Sequence, residues 1–137
     1  MRKKILAKFL NRPENKIFSG EYGCNSYNDI TTNYLILTEE EANEEAQKHV
    51  WGLIHTFDID FLMKYLGKQM TKEKVSELMS KHCDNCLLVM ASLMPDYDLF
   101  AKEAIRKYGR AHFICFGDKT EYKVEYNGQL YLIYRMV

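Results

Sequence analysis

The sequence predicts an α+β fold in one domain spanning 1–137: four to five helices in the middle, packed on a small antiparallel sheet with a C-terminal three-stranded meander. Three observations carry this. Between residues 42 and 108, apolar side chains recur at steps of three and four, the period of an amphipathic helix. From residue 110 onward the pattern shifts toward a period of two. Asn127-Gly128 then separates TEYKVEY from QLYLIYR, and a type I′ hairpin turn needs positive φ at both central residues.

Taken in order, Lys3–Leu10 is ambiguous between a first strand and a short helix, and the strand is preferred because Ile5, Ala7 and Phe9 alternate with Lys4 and Lys8. SGEYGCNSYNDITT (19–32) reads as an irregular loop, and NYLILT (33–38) as a strand joining the C-terminal sheet. Thr38 and Glu41 have the spacing of a capping box, and three glutamates in the first turn suit the positive end of the helix dipole. The helix runs to about Phe57, burying Ala42, Ala46, Val50, Leu53 and Phe57, with Trp51 and Ile54 beside that stripe. DIDFLMKYLG gives a short Asp-capped helix stopped by Gly67, and Thr71 caps another that turns Val75, Leu78 and Met79 inward. CLLVMASLM (86–94) is uniformly apolar and reads as a buried helix. Asp96 opens the clearest helix, with Tyr97, Phe100, Ala101, Ala104, Ile105 and Tyr108 on one face and Gly109 as a left-handed C-cap. RAHFICF (110–116) reads as a central strand. In the hairpin, Val124 faces Tyr131 and Tyr122 faces Ile133, with Arg135 on the same side.

With 47% apolar residues, two prolines and no repeat, the chain should build a real core. Formal net charge is zero, so no global field draws it to nucleic acid or an anionic membrane. The charge is sorted along the chain: residues 1–16 hold six Lys/Arg against one Glu, and residues 17–60 hold nine acids against Lys48. Folding is expected to bring these two signs together. The opening MRKKILAKFL is interrupted by Lys8 and ends at Asn11-Arg12-Pro13, so it does not read as a signal peptide. No run approaches the ~18 apolar residues of a membrane span. Four scattered cysteines suit a reducing cytosol better than a secreted disulfide framework.

Several residues invite chemistry. Arg110 and His112 would share one strand face, and with Arg135 form a pocket for an anion or carboxylate. The competing structural reading, which is preferred, pairs Arg110 with an acidic residue of the helices and sets His112 in a semi-buried hydrogen-bond network. Cys83 and Cys86 have zinc-ligand spacing, with His82, Cys24 or Cys115 to complete a site. A second paired element is missing, so two ordinary cysteines are the favoured reading and no metal or other cofactor is expected. His55, Asp58 and Asp60 suit acid–base work, yet an Asp cap and a cation at a helix C-terminus explain them. No phosphate loop, nucleophile elbow or zinc-protease motif is present, so no enzyme is indicated.

NYLILTEEEANEEAQKHVWGLIHTFDIDFL (33–62) and AIRKYGRAHFICFGDKTEY with YLIYRM together resemble a group of small proteins from bacteriophages and other bacterial mobile elements. The group's Asp-Gly-Arg-Gly-His-Phe run stands here with Tyr108 and Ala111 in place of the Asp and second Gly. The resemblance implies a protein made in the bacterial cytoplasm during phage or plasmid carriage. In that setting a compact chain with no enzyme motif is expected to act by binding, antagonising a host defence complex such as a CRISPR effector. Tyr22 and Tyr27 in the polar loop and Glu39, Glu40, Glu41 and Glu44 at the helix start are the expected contacts with a host protein or ribonucleoprotein. The alternatives are a nucleic-acid binder using Arg2–Lys16, and a ligand-binding protein or enzyme with the Arg110/His112/Arg135 pocket.

Overall fold

The computed structural model describes residues 1–81, 84–115 and 118–136. They fall into two compact units, Met1–Ala46 with Arg110–Val137, and Gln47–Gly109.

The first unit holds a five-stranded antiparallel sheet, β1 (Phe18–Ser19), β2 (Ser26–Asn28), β3 (Asn33–Thr38), β4 (Glu121–Tyr126) and β5 (Gln129–Met136), in the order β1-β2-β3-β5-β4. The hairpin register is the one the sequence predicts, with Val124 opposite Tyr131 and Tyr122 opposite Ile133. Asn127 and Gly128 take φ of 52° and 78°, as the type I′ turn demands. The C-terminal meander is corrected to a two-stranded hairpin whose third neighbour is β3, paired along its whole length with β5.

RAHFICF supplies no strand. Arg110–Ile114 is a one-turn helix, α7, and Phe116 lies outside the described residues. Gly109, at φ 89° and ψ 150°, has positive φ without the left-handed helical cap, and the new turn starts directly after it. On a helix, residues two apart point roughly 200° apart, so Arg110 and His112 do not share a face.

Lys3–Leu10 is likewise helical, within α1 (Arg2–Leu10). Ile5, Leu6 and Ala7 are buried in succession, which a half-exposed strand does not allow. Asn11 closes the helix at φ 54° and ψ 49°, and the Arg12 N–H bonds back to the Ala7 carbonyl at 2.9 Å. These α1 residues and Ile17 pack with Tyr34, Ile36, Tyr131 and Ile133 into one core on this face of the sheet. The other face carries Leu35, Leu37, Leu132, Tyr134 and Met136, also buried. The 19–32 segment is more ordered than its composition suggests, since it supplies β2 and the end of β1.

The second unit is helical. α2 (Glu39–His49) begins in the first unit and gives way to a 3₁₀ stretch, Trp51–Thr56. The tighter winding moves burial from Leu53 to Ile54, three residues before Phe57. α3 (Ile59–Met63), α4 (Lys72–Ser80), α5 (Asp84–Ser92) and α6 (Tyr97–Tyr108) follow. Thr71 and Asp96 cap α4 and α6 through bonds from Lys74 N and Leu99 N. Phe57 stacks on Tyr108 at 4.8 Å, and Phe61, Tyr65 and Phe100 complete an aromatic cluster. α5 is only half-buried: Leu87 and Met90 face inward while Leu88 and Val89 are exposed, which corrects the buried-helix expectation.

Candidate functional site

The expected contact and pocket residues sort into three places on the sheet-bearing unit. The first is the junction between α1, the β1–β2 loop and α2. The capping box forms as expected, with Thr38 N–H donating to Glu41 Oε1 at 2.9 Å and Glu41 N–H donating to Thr38 Oγ1 at 3.3 Å. Arg2 adds a bidentate bond to the Glu41 carboxylate, at 2.8 and 3.1 Å, and donates to the Ile36 carbonyl at 2.7 Å. Asn25 Nδ2 reaches the same carboxylate at 3.2 Å, tying the loop that carries Tyr22 to the helix start. Burial alone would raise the Glu41 pKa; the bonds from Arg2 and Thr38 outweigh it and hold the carboxyl at about 2.

Glu41 is therefore committed internally, and Tyr27 packs half-buried against the α1 core. Glu39 is exposed and lies 3.6 Å from Arg110. Tyr22, Glu40 and Glu44 remain exposed. Among the described residues, the carboxylates of Glu40 and Glu44 make no hydrogen bond or ion pair.

The second place surrounds Arg110. Its guanidinium grips Glu121 through Nε to Oε1 at 2.9 Å and Nη2 to Oε2 at 3.0 Å, and Nη1 donates to Asn43 Oδ1 at 3.2 Å. The fully buried Tyr134 donates its hydroxyl to Glu121 Oε1 as well. Burial would push the Glu121 carboxyl up, but Arg110 and Tyr134 hold it below its ordinary value. The Tyr134 hydroxyl is pushed up by its burial and by that carboxylate. His112 lies half-buried with its ring edge-on to Phe113 at 5.0 Å, and burial lowers its pKa, with Lys119 adding to the effect.

The third place is an open cleft of about 470 Å³ lined by Thr31, Thr32, Asn33, Asp118, Arg135 and Met136. Arg135 is the one member of the expected trio that lines it. The Asp118 carboxylate accepts from Thr120 at 2.7 Å and from the Tyr122 hydroxyl at 3.0 Å, and these bonds hold its pKa down. Above the cleft lies the β2–β3 turn. Asp29 Oδ1 accepts from Thr31 N, Thr31 Oγ1 and Thr32 N at 3.1, 2.8 and 2.9 Å, and Arg12 stands 4.0 Å from its other oxygen. The sequence reading missed this turn: Asn-Asp before Thr-Thr signals an Asx turn, but nothing in it tells that Ile30 faces water.

No family model, no curated protein and no solved structure matches this chain.

The remaining residues are accounted for locally. Asp58 stands at the N-cap of α3 without a side-chain cap bond and lies 3.9 Å from Lys107 Nζ, correcting the capping expectation; Asp60 pairs with Lys72 at 2.9 Å. His55 lies in the last turn of the 3₁₀ stretch, which ends at Thr56. His82 and Cys83 lie outside the described residues. Cys86 is disulfide-bonded, which corrects the reading of it as an ordinary cysteine, and Cys24 and Cys115 are free thiols. Among the described residues, no group of three or more His, Cys, Asp or Glu is placed to hold a metal, and no helix is long and apolar enough to cross a membrane.

Proposed function

We propose that this protein acts by protein–protein binding, antagonising a host complex in the bacterial cytoplasm, and that its contact surface is the exposed face formed by Tyr22 with Glu40 and Glu44. One observation carries the reading: the two carboxylates stand unpaired, among the described residues, beside a loop anchored by Asn25 to Glu41. Glu40 and Glu44 are one helical turn apart, where like charges repel by about 0.2–0.5 kcal/mol. The helix dipole accounts for Glu40 in the first turn of α2, but not for Glu44 one turn further on. Unpaired carboxylates on a rigid base fit a cationic partner surface, including a channel that otherwise holds nucleic-acid phosphate.

Arg110 supports the same reading by exclusion. Its guanidinium directs three of its five N–H groups at Glu121 and Asn43 and is only 17% exposed, which leaves little to offer a ligand. The nucleic-acid alternative is weakened in the same way, since Arg2 is spent on Glu41 and Phe9 packs on Tyr122 at 5.3 Å between ring centroids.

The test is affinity capture from a bacterial host with the full chain, followed by identification of the bound protein and titration of the purified pair. Glu40→Lys with Glu44→Lys should weaken binding about tenfold or more and flatten its salt dependence, with the melting midpoint kept. Unchanged affinity and salt dependence would remove this surface.

A further inference from the structure

The β2–β3 turn holds an arrangement that folding alone does not explain. Ile30 takes φ 86°, the left-handed region that favours glycine and asparagine. A β-branched residue there is strained, because its Cβ crowds the following carbonyl. The same side chain is 71% exposed, the most exposed large apolar residue of those described. It therefore gains neither backbone comfort nor burial from its position.

The turn beneath it is not loose. Asn28 Oδ1 accepts the Ile30 N–H, and Asp29, itself buried, accepts three bonds from Thr31 and Thr32. Strain of this kind persists where surrounding bonds over-determine the backbone. Phe18, half exposed, sits across the sheet edge, paired in register with Asn28. Two cations flank the tip: Arg12, nearly half exposed at 4.0 Å from Asp29, and Arg135 in the cleft that Thr31 and Thr32 also line. Among the described residues, the Arg135 guanidinium makes no hydrogen bond or ion pair.

We infer that Ile30 is a pre-formed anchor that inserts into an apolar pocket bordered by carboxylates on a partner protein, with Phe18 beside it and Arg12 and Arg135 meeting the acidic rim. The inference rests on the protein-binding reading and adds a second contact at the end of β3 opposite Glu40 and Glu44. A rigid apolar tip loses little freedom on docking, which is how a few residues come to dominate an interface. A membrane surface is the less favoured occupant. Insertion into lipid rewards apolar area and needs no fixed turn geometry, whereas this tip is small and locked by the bonds to Asn28 and Asp29.

The experiment uses the full chain with p-benzoylphenylalanine replacing Phe18, expressed in a bacterial host and irradiated. The expected result is an adduct with one bacterial protein, on a peptide combining apolar residues with Asp or Glu. Its yield should fall about tenfold in Ile30→Gly and again in Arg135→Glu. Ile30→Gly should not lower the melting midpoint, because glycine relieves the left-handed φ. Three results would overturn the inference: an adduct with lipid or a second copy, a yield indifferent to Ile30→Gly, or a lowered midpoint that makes Ile30 a packing residue. If Glu40→Lys with Glu44→Lys abolishes capture while Ile30→Gly leaves the adduct intact, only this inference fails. If the native chain captures nothing by either route, both fail.

Discussion

Replacing Arg110 by Ala removes a bidentate clamp from a carboxylate with little access to water. Arg110 and Glu121 side chains are 17% and 20% exposed, and their two bonds measure 2.9 and 3.0 Å. Breaking a fully buried pair costs about 3–5 kcal/mol, since the surviving charge is left uncompensated. Exposed pairs are worth about 0–1 kcal/mol. This pair lies nearer the buried limit but keeps some solvent, and Tyr134 still donates to Glu121 in the variant. Arg110→Ala should therefore cost about 2–3 kcal/mol at neutral pH. Urea unfolding followed by circular dichroism gives the number. The sign of the pH dependence follows from Glu121, whose folded pKa lies below its ordinary value of 4.5. Its contribution is complete above that value and is lost as pH falls below it, so native and variant stabilities should converge in acid. A cost under about 0.5 kcal/mol, or a gap that widens in acid, would refute the reasoning.

Other outcomes follow from the same geometry. Glu41→Gln should lose about 1–2 kcal/mol at neutral pH, discounted for a carboxylate that is one-third exposed, and circular dichroism should report it. Because the folded Glu41 pKa is about 2 against an ordinary 4.5, that contribution should fade between those values as acid is added. Gly20→Ala would bring a Cβ onto Ser26 Oγ and within 2.9 Å of the Ser26 and Tyr27 backbone, so a loss of about 1–3 kcal/mol is expected in chemical denaturation. Thr71→Ala and Asp96→Ala should each cost about 1 kcal/mol, and their effects should add.

Features set by local chemistry were readable in the sequence. The Thr38/Glu41 box, the Thr71 and Asp96 caps and the Asn127-Gly128 turn each depend on a few adjacent residues, and each forms as read. Short segments whose state depends on distant neighbours were misread. Ile5, Ala7 and Phe9 alternate by accident; Leu6 between the first two is equally buried, because the helix lays three successive residues against the sheet. Arg110–Ile114 is too short for periodicity to decide, and its turn is set by the break at Gly109. Arg110 does meet an acidic residue of the helices, Glu39 of α2 at 3.6 Å, but its bidentate partner is Glu121 of β4, which the sequence reading does not name. The exposure of Ile30 and the cleft beneath it depend on the closing of β2 on β3, which composition alone does not record.

The most direct test of the account pairs two variants against one captured host protein. Glu40→Lys with Glu44→Lys alters only exposed side chains, while Arg110→Ala disrupts an internal network. The surface variant should lose affinity about tenfold or more at an unchanged melting midpoint, and Arg110→Ala should lower the midpoint while the folded protein binds as before. The reverse pattern, with affinity lost on Arg110→Ala and kept by the surface variant, would contradict it.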